Sequence, residues 1–162
     1  MLLISPEAHI SPLADIEDST RGTKIVIGRN VTIDSFVKIK PVGGVGDIEI
    51  SEGTYINSGC VLFSGNGIKI GRDVLIAPGC VLAPVNHEYR NKSRRIVEQR
   101  FMPSRGGIVI GADVWIGANS TVLDGVEIRE GAVIGAGSLV KHNLAAYCVY
   151  AGNPLRKIGE RG

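Results

Sequence analysis

The stretch Ile108–Lys141, IVIGADVWIGANSTVLDGVEIREGAVIGAGSLVK, decides the fold. Every sixth residue from Ile110 is aliphatic (Ile110, Ile116, Val122, Ile128, Ile134, Val140), and Gly or another small or turn-compatible residue commonly follows. A period of six matches neither an amphipathic helix, which repeats near 3.6, nor a simple strand, which alternates in twos; it matches short strands joined by tight corners in a stacked repeat. Working outward, the same beat gives Ile27, Ile33 and Ile39, then Ile50, Ile56 and Leu62, then Ile70, Ile76 and Leu82. The chain reads as a β-solenoid.

Between these blocks the count slips by five residues near Pro41–Gly46, by two near Gly65–Gly67 and by twenty-two between Asn86 and Gly107. Slips of this kind are insertions at corners. The largest predicts a long extruded loop at about 86–107, and long loops without their own structure are usually functional.

Composition narrows the alternatives. The 22 glycines in 162 residues are about twice the usual ~7%, as a corner every few residues would require. Long helical patterns are absent, and the continuous repeat leaves no linker at which to divide residues 1–162, so one domain with a short C-terminal tail from about 154 is expected. Three cysteines without metal-type spacing favour a reducing compartment over a disulfide framework. The apolar run before Ser5 and Pro6 is too short for a signal sequence or a membrane span, which leads to the expectation of a cytoplasmic protein with no integral membrane segment. A net charge of +2 gives no reason to invoke nucleic acid, and no aromatic platform for single strands is visible.

If three hexads make one turn, the blocks stack in register. Ile27, Ile50, Ile70, Ile110 and Ile128 then form one interior column, Ile33, Ile56, Ile76, Ile116 and Ile134 a second, and Ile39, Leu62, Leu82, Val122 and Val140 a third. The residue before each column faces outward, because side chains alternate along a strand. One outer face (Val26, Glu49, Lys69, Glu127) is a solvated surface. The second (Tyr55, Leu75, Trp115, Val133) and the third (Val61, Val81, Thr121, Leu139) are apolar, so burial against other subunits is expected and a cyclic homotrimer would cover both.

Periodicity alone does not give the hand of the coil, and parallel crossovers are right-handed in the great majority of proteins. The segments VWIG (114–117), GAGSLV (135–140) and AGNP (151–154), following a histidine-containing loop, resemble the hexapeptide-repeat acyltransferases, in the branch that O-acetylates galactosides, maltose and polysaccharides. The resemblance runs from about Ile25 to Ile158. It implies an all-β, single-stranded, left-handed parallel β-helix, a homotrimer with active sites between subunits, and acetyl-CoA as co-substrate without a metal.

Under that resemblance His87, at the start of the large insertion, holds the position of the family's catalytic histidine. A sugar hydroxyl is a poor nucleophile at neutral pH, and a neutral imidazole can take its proton as it attacks the thioester. The oxyanion needs donors, for which the resemblance points to the backbone amide near Ala118. Trp115, Gly117, Ala118, Gly135 and Ala136 are the expected cofactor groove, although small residues also serve simply to make corners. Lys141, Arg156 and Lys157 offer charge for the phosphates of the cofactor; relatives often carry Thr-Lys where this chain has Lys141 and His142. Asn57 and Asn86 are candidate acceptor-binding residues, with a corner or capping role as the competing reading of each. His9 and His142 read as structural or solvent-exposed.

The insertion carries Arg90, Lys92, Arg94, Arg95, Arg100 and Arg105 against Glu88 and Glu98, either a solvated loop or a basic rim that concentrates an anionic acceptor or CoA. Phe101 and Met102 are expected to pin the loop against a neighbouring subunit. Cys60 and Cys80 occupy equivalent positions one turn apart and read as buried thiols. The resulting expectation is an O-acetyltransferase acting on a sugar in surface polysaccharide or lipopolysaccharide synthesis. N-acetylation of a nucleotide-linked amino sugar is the alternative, and a non-catalytic scaffold is an alternative of another class. A metal-dependent carbonic anhydrase on the same coil would need His9 near His87, far along the rod. The chain shows no helical leader, which favours the compact polysaccharide-modifying members.

Overall fold

A computed structural model describes residues 1–162. Its strands, mostly two or three residues long, wind into a triangular prism whose faces are sheets of six, eight and six strands. One coil supplies one strand to each face, for example Ile68–Ile70, Leu75–Ile76 and Val81–Ala83. Neighbouring coils pair in parallel, and the register keeps each interior column aligned: Ile70 pairs with Ile50 and Ile110, Ile76 with Ile56 and Ile116, Leu82 with Leu62 and Val122. These residues are almost wholly buried, in one apolar cluster of 31 residues. Alternation along each strand therefore sends the sixth residue inward at every step.

The coil is left-handed, against the prior for parallel crossovers and in agreement with the resemblance. Strands this short accumulate little of the twist from which the right-handed preference arises. Corners turn through a residue in the left-handed region. Glycine fills that position at Gly59, but Asn30, Asp73, Asp113 and Asn119 do the same work at φ between 53° and 57°, as short polar side chains can.

Two features lie outside the sequence reading. A full first coil, Leu2–Ile4, His9–Ile10 and Asp15–Ile16, extends the columns through Ile4, Ile10 and Ile16. In the short segment beyond Pro154, Arg156–Glu160 folds back as an antiparallel strand on Cys148–Ala151. No helix is long and apolar enough to cross a membrane.

Candidate active site

The large insertion leaves the prism where the third face turns toward the first. Successive coils send Val42, Phe63 and Val85 to this edge, and with Gly43, His87 and Phe101 they line an apolar cavity of about 230 Å³. His87 and Phe101 face each other in an antiparallel bridge. On one side the Glu88 amide donates to the Arg100 carbonyl at 3.0 Å; on the other the Met102 amide donates to the Asn86 carbonyl at 2.8 Å. The two rings lie 4.9 Å apart, tilted by 43°. Phe101 thus packs on its own chain's histidine. Arg100, immediately before it, is held at φ 64° and ψ −136°, a strained conformation for a residue with a Cβ.

Beyond this clamp, residues 88–100 form a finger with a single helical turn, Ile96–Gln99. Its tip is tied by Gln99, whose side chain donates to the Asn91 and Arg94 carbonyls and accepts from the Asn91 amide. Glu88 accepts from the amides of Tyr89 and Arg90 at 2.9 and 3.0 Å, and these bonds hold its carboxyl below the ordinary range. Of the basic residues, Arg90 pairs with Glu88 and Arg95 with Glu98, whereas Lys92, Arg100 and Arg105 make no ion pair.

The insertion rejoins the prism through Asp124, which sequence reasoning passed over. Its carboxylate, 2% exposed, accepts from the Gly107 and Arg105 amides, each at 2.9 Å, and from the Asn66 side chain at 3.0 Å. An Asp at the corner that follows an interior Val was the available signal, but nothing local says which distant amides it will meet.

A second group of predicted residues gathers at the opposite edge of the third face. Asn57, Gly117, Ala118, Gly135 and Ala136 all follow second-face strands. Asn57 donates its side-chain NH2 to the Ile76 carbonyl at 2.8 Å, closing the corner of the next coil. A Cβ on Gly117 would meet the Ala136 amide nitrogen at 2.5 Å, and one on Gly135 would meet the Ala151 methyl at 2.9 Å. Close stacking of coils therefore accounts for both glycines. The Ala118 carbonyl accepts from Gly137, while the Ala118 and Ala136 amide hydrogens have no partner within the chain. Asn86 makes no side-chain hydrogen bond, so its carboxamide is available too.

Trp115 stands on the second face, 48% exposed, between Leu75 and Val133. It borders a cavity of about 310 Å³ edged by Asp73 and Asp113. Arg161 lines the same cavity and pairs with Asp113 at 2.7 Å. Lys141 and Arg156 carry no ion pair, whereas Lys157 is paired with Glu160. Free amides at Ala118 and Ala136 with unpaired Lys141 and Arg156 are suitable donors for an amide- and phosphate-bearing acyl carrier. His9 lies on the second face of the first coil, away from His87. His142 contacts the Asn143 carbonyl at 3.2 Å. Cys60 and Cys80 are free and buried; the contact with Cys80, reinforced by burial, pushes the Cys60 thiol up.

The candidate residues thus fall into two sets at the two edges of the third face. His87, Asn86 and the apolar cavity lie at one edge, and Asn57 with the Ala118 and Ala136 amides at the other. No cavity within one chain joins them.

Residues 107–142 match the family described as bacterial transferase hexapeptide (six repeats). The chain is 31% identical over 142 residues to the putative lipopolysaccharide biosynthesis O-acetyl transferase WbbJ of Escherichia coli K12, covering 85% of this chain and 69% of that one. It is 35% identical over 114 residues to the galactoside O-acetyltransferase of the same organism, covering 70% of this chain and 54% of the relative, so the match spans about half of that relative's length. Among solved structures, a serine-to-alanine mutant of AntD, an N-acyltransferase from Bacillus cereus in complex with dTDP-4-amino-4,6-dideoxyglucose and coenzyme A, superposes with a TM-score of 0.82 at 27% identity, covering 98% of this chain and 83% of that one. The chain belongs to the hexapeptide-repeat acyltransferase family.

Proposed function

We propose that this chain transfers an acetyl group from acetyl-CoA to a sugar hydroxyl in surface polysaccharide or lipopolysaccharide synthesis, as a homotrimer with sites between subunits. The observation that carries the reading is His87, held by Phe101 and two backbone hydrogen bonds in the lining of an apolar cavity. In the reaction the hydroxyl oxygen forms a bond to the thioester carbonyl carbon while His87 takes the hydroxyl proton. The tetrahedral oxyanion accepts from a backbone amide, for which Ala118 is free. Collapse breaks the C–S bond, and the imidazolium returns its proton to the departing thiolate, leaving an ester and CoA.

Two features support the trimer: the separation of the two residue sets, which a neighbouring subunit can close, and the exposed column of Tyr55, Leu75 and Trp115 on the second face. Lys141 and Arg156 suit the cofactor phosphates. Asn57 and Asn86 suit the acceptor, Asn57 through the carboxamide oxygen that its corner bond leaves free. Free thiols fit a cytoplasmic setting. A second reading, N-acylation of a nucleotide-linked amino sugar, is favoured by the likeness to AntD along nearly the whole chain.

Thiol release from acetyl-CoA across sugars, nucleotide sugars and amino sugars, for wild type and His87→Ala, tests both readings. Turnover that falls by about 10² to 10⁴ in the variant supports the base. A product cleaved by mild base is the ester, and a resistant one is the amide. Turnover that survives His87→Ala undiminished would remove the histidine from the mechanism.

A further inference from the structure

We infer that the buried thiol of Cys80 is a positioning residue for acyl transfer: it holds the Gly117 carbonyl and so turns the amide hydrogen of the same peptide unit, that of Ala118, outward to the oxyanion. This rests on the Ala118 amide being the oxyanion donor of the proposed reaction. Cys80 is wholly buried, and its Sγ donates to the Gly117 carbonyl oxygen at 3.2 Å. No backbone amide donates to that oxygen, so the thiol is its one partner within the chain. The sulfur carries its proton there, because a thiolate would face the carbonyl oxygen with no hydrogen between them. In a planar trans peptide the C=O and N–H point in opposite directions. A carbonyl drawn toward the interior therefore leaves the Ala118 N–H directed outward, where the chain offers it no acceptor. The bond accepted at one end of the peptide also strengthens the donor at the other, by about 10–30%.

The same contact recurs along this column, and the differences between levels assign the role. One coil earlier, Cys60 is equally buried and donates to the Ala77 carbonyl at 3.2 Å. The nitrogen of that peptide belongs to Pro78 and carries no hydrogen, so the bond there serves packing alone. One coil later, the Gly135 carbonyl, behind the free Ala136 amide, accepts from both Ser120 and Ser138. Cys80 is thus the single support of a corner that presents an amide hydrogen, and Cys60 is its counterpart at a corner that presents none.

The test uses the full-length protein with Cys80→Ser, which keeps a donor, Cys80→Ala and Cys80→Val, which remove it, and Cys60→Ala as the matched control. Thiol release gives kcat and the KM for acetyl-CoA, with the acceptors of the sugar panel. Protein labelled with [1-13C]glycine and [15N]alanine gives NMR correlations only from its Gly–Ala pairs, Gly111–Ala112, Gly117–Ala118, Gly131–Ala132 and Gly135–Ala136. Expected in Cys80→Ala and Cys80→Val is a fall in kcat of about 3- to 10-fold, the weight of one net hydrogen bond, with KM within about twofold. Cys80→Ser and Cys60→Ala should keep kcat within about twofold of wild type. The Gly117–Ala118 correlation should move in the donor-less Cys80 variants, and the Gly111–Ala112 and Gly131–Ala132 correlations should stay in place.

An equal loss of kcat in Cys60→Ala would mean a general loosening of the coils and would overturn the inference. Failure of Cys80→Ser to keep the rate that Cys80→Ala loses would do the same, and this comparison stands if the bulkier Cys80→Val does not fold. Full kcat in Cys80→Ala, beside a wild type that His87→Ala inactivates, would overturn the inference and leave the acyltransferase reading intact. If the wild type turns over no acceptor, a Gly117–Ala118 correlation that moves in Cys80→Ala supports the hold of the thiol on that peptide and counts against the transfer reaction; one that stays in place overturns both.

Discussion

The Phe101 ring lies 4.9 Å from the imidazole of His87, on the far side of a thirteen-residue finger that begins and ends at that pair. The ring nitrogens of His87 make no hydrogen bond within the chain, so packing against Phe101 and the flanking backbone bonds fix where the imidazole sits. Misplacing a catalytic group by about 1 Å can cost on the order of 10²-fold in rate. Phe101→Ala is expected to lower kcat/KM by roughly 10- to 100-fold, and Phe101→Tyr to retain most of it, in steady-state kinetics. Equal rates for wild type and Phe101→Ala would mean that the backbone alone holds His87.

Asp124 accepts three hydrogen bonds from Gly107, Arg105 and Asn66 in a buried site. Removing the carboxylate leaves these donors unsatisfied, at about 1–3 kcal/mol for a buried group. Asp124→Ala should lower stability in urea unfolding by several kcal/mol, and proteases should cut residues 90–105 faster. Asp124→Asn, which keeps an acceptor oxygen, should fall between the two.

Glu88 carries a pH dependence. Its carboxyl is held down first by the Arg90 amide and then by the Tyr89 amide. A folded-state value below the unfolded one, near 4.3 for an ordinary glutamate, means the bonds contribute fully above the unfolded value and are lost as pH falls through the folded value. Amide exchange at Tyr89 and Arg90 should speed up, beyond its intrinsic pH trend, as pH falls below the ordinary glutamate range. In Glu88→Gln that extra step should vanish.

Gly117 and Gly159 form a contrast. A methyl on Gly117 would lie 2.5 Å from backbone nitrogen in the next coil, whereas Gly159 has nothing within 4 Å. Gly117→Ala should destabilise by about 1–3 kcal/mol, the usual range for overpacking, and Gly159→Ala should stay within about 0.5 kcal/mol. Thermal melts of the two variants decide it.

Trp115 is the centre of the exposed second-face column, flanked by Leu75 and Val133. If that column is a subunit interface, Trp115→Glu buries an unpaired charge there. Sedimentation should then show monomer where the wild type shows trimer, with activity lost in parallel. A wild-type monomer would remove the trimer from the proposal.

Much of this molecule was legible in the sequence. The three interior columns, the outward faces, the corner insertions and the buried Cys60 and Cys80 follow from counting in sixes, because each column residue has one environment and only aliphatic side chains tolerate it. The first coil escaped that count. Ile4, Ile10 and Ile16 keep the step of six, but the eleven residues from Ile16 to Ile27 break the register with the next coil, and at the open end of the stack these side chains are partly exposed. The C-terminal strand escaped as well, since antiparallel pairing at Cys148–Ala151 belongs to no six-residue period.

The candidate site was legible only in part. His87 was singled out from its place in a motif, but its packing against Phe101 was not foreseen, because residues fourteen apart across an irregular finger share no periodicity. Val42, Phe63, Val85 and Asp124 gave no signal of a shared purpose. The sequence by itself determined the solenoid and its register, since these depend on a local rule repeated coil after coil. Only the tertiary structure decided that the apolar cavity closes around His87 and that the two sets of site residues lie on opposite edges of one face. Those contacts join insertions and coils far apart in the chain, and their geometry is set by how the coils stack.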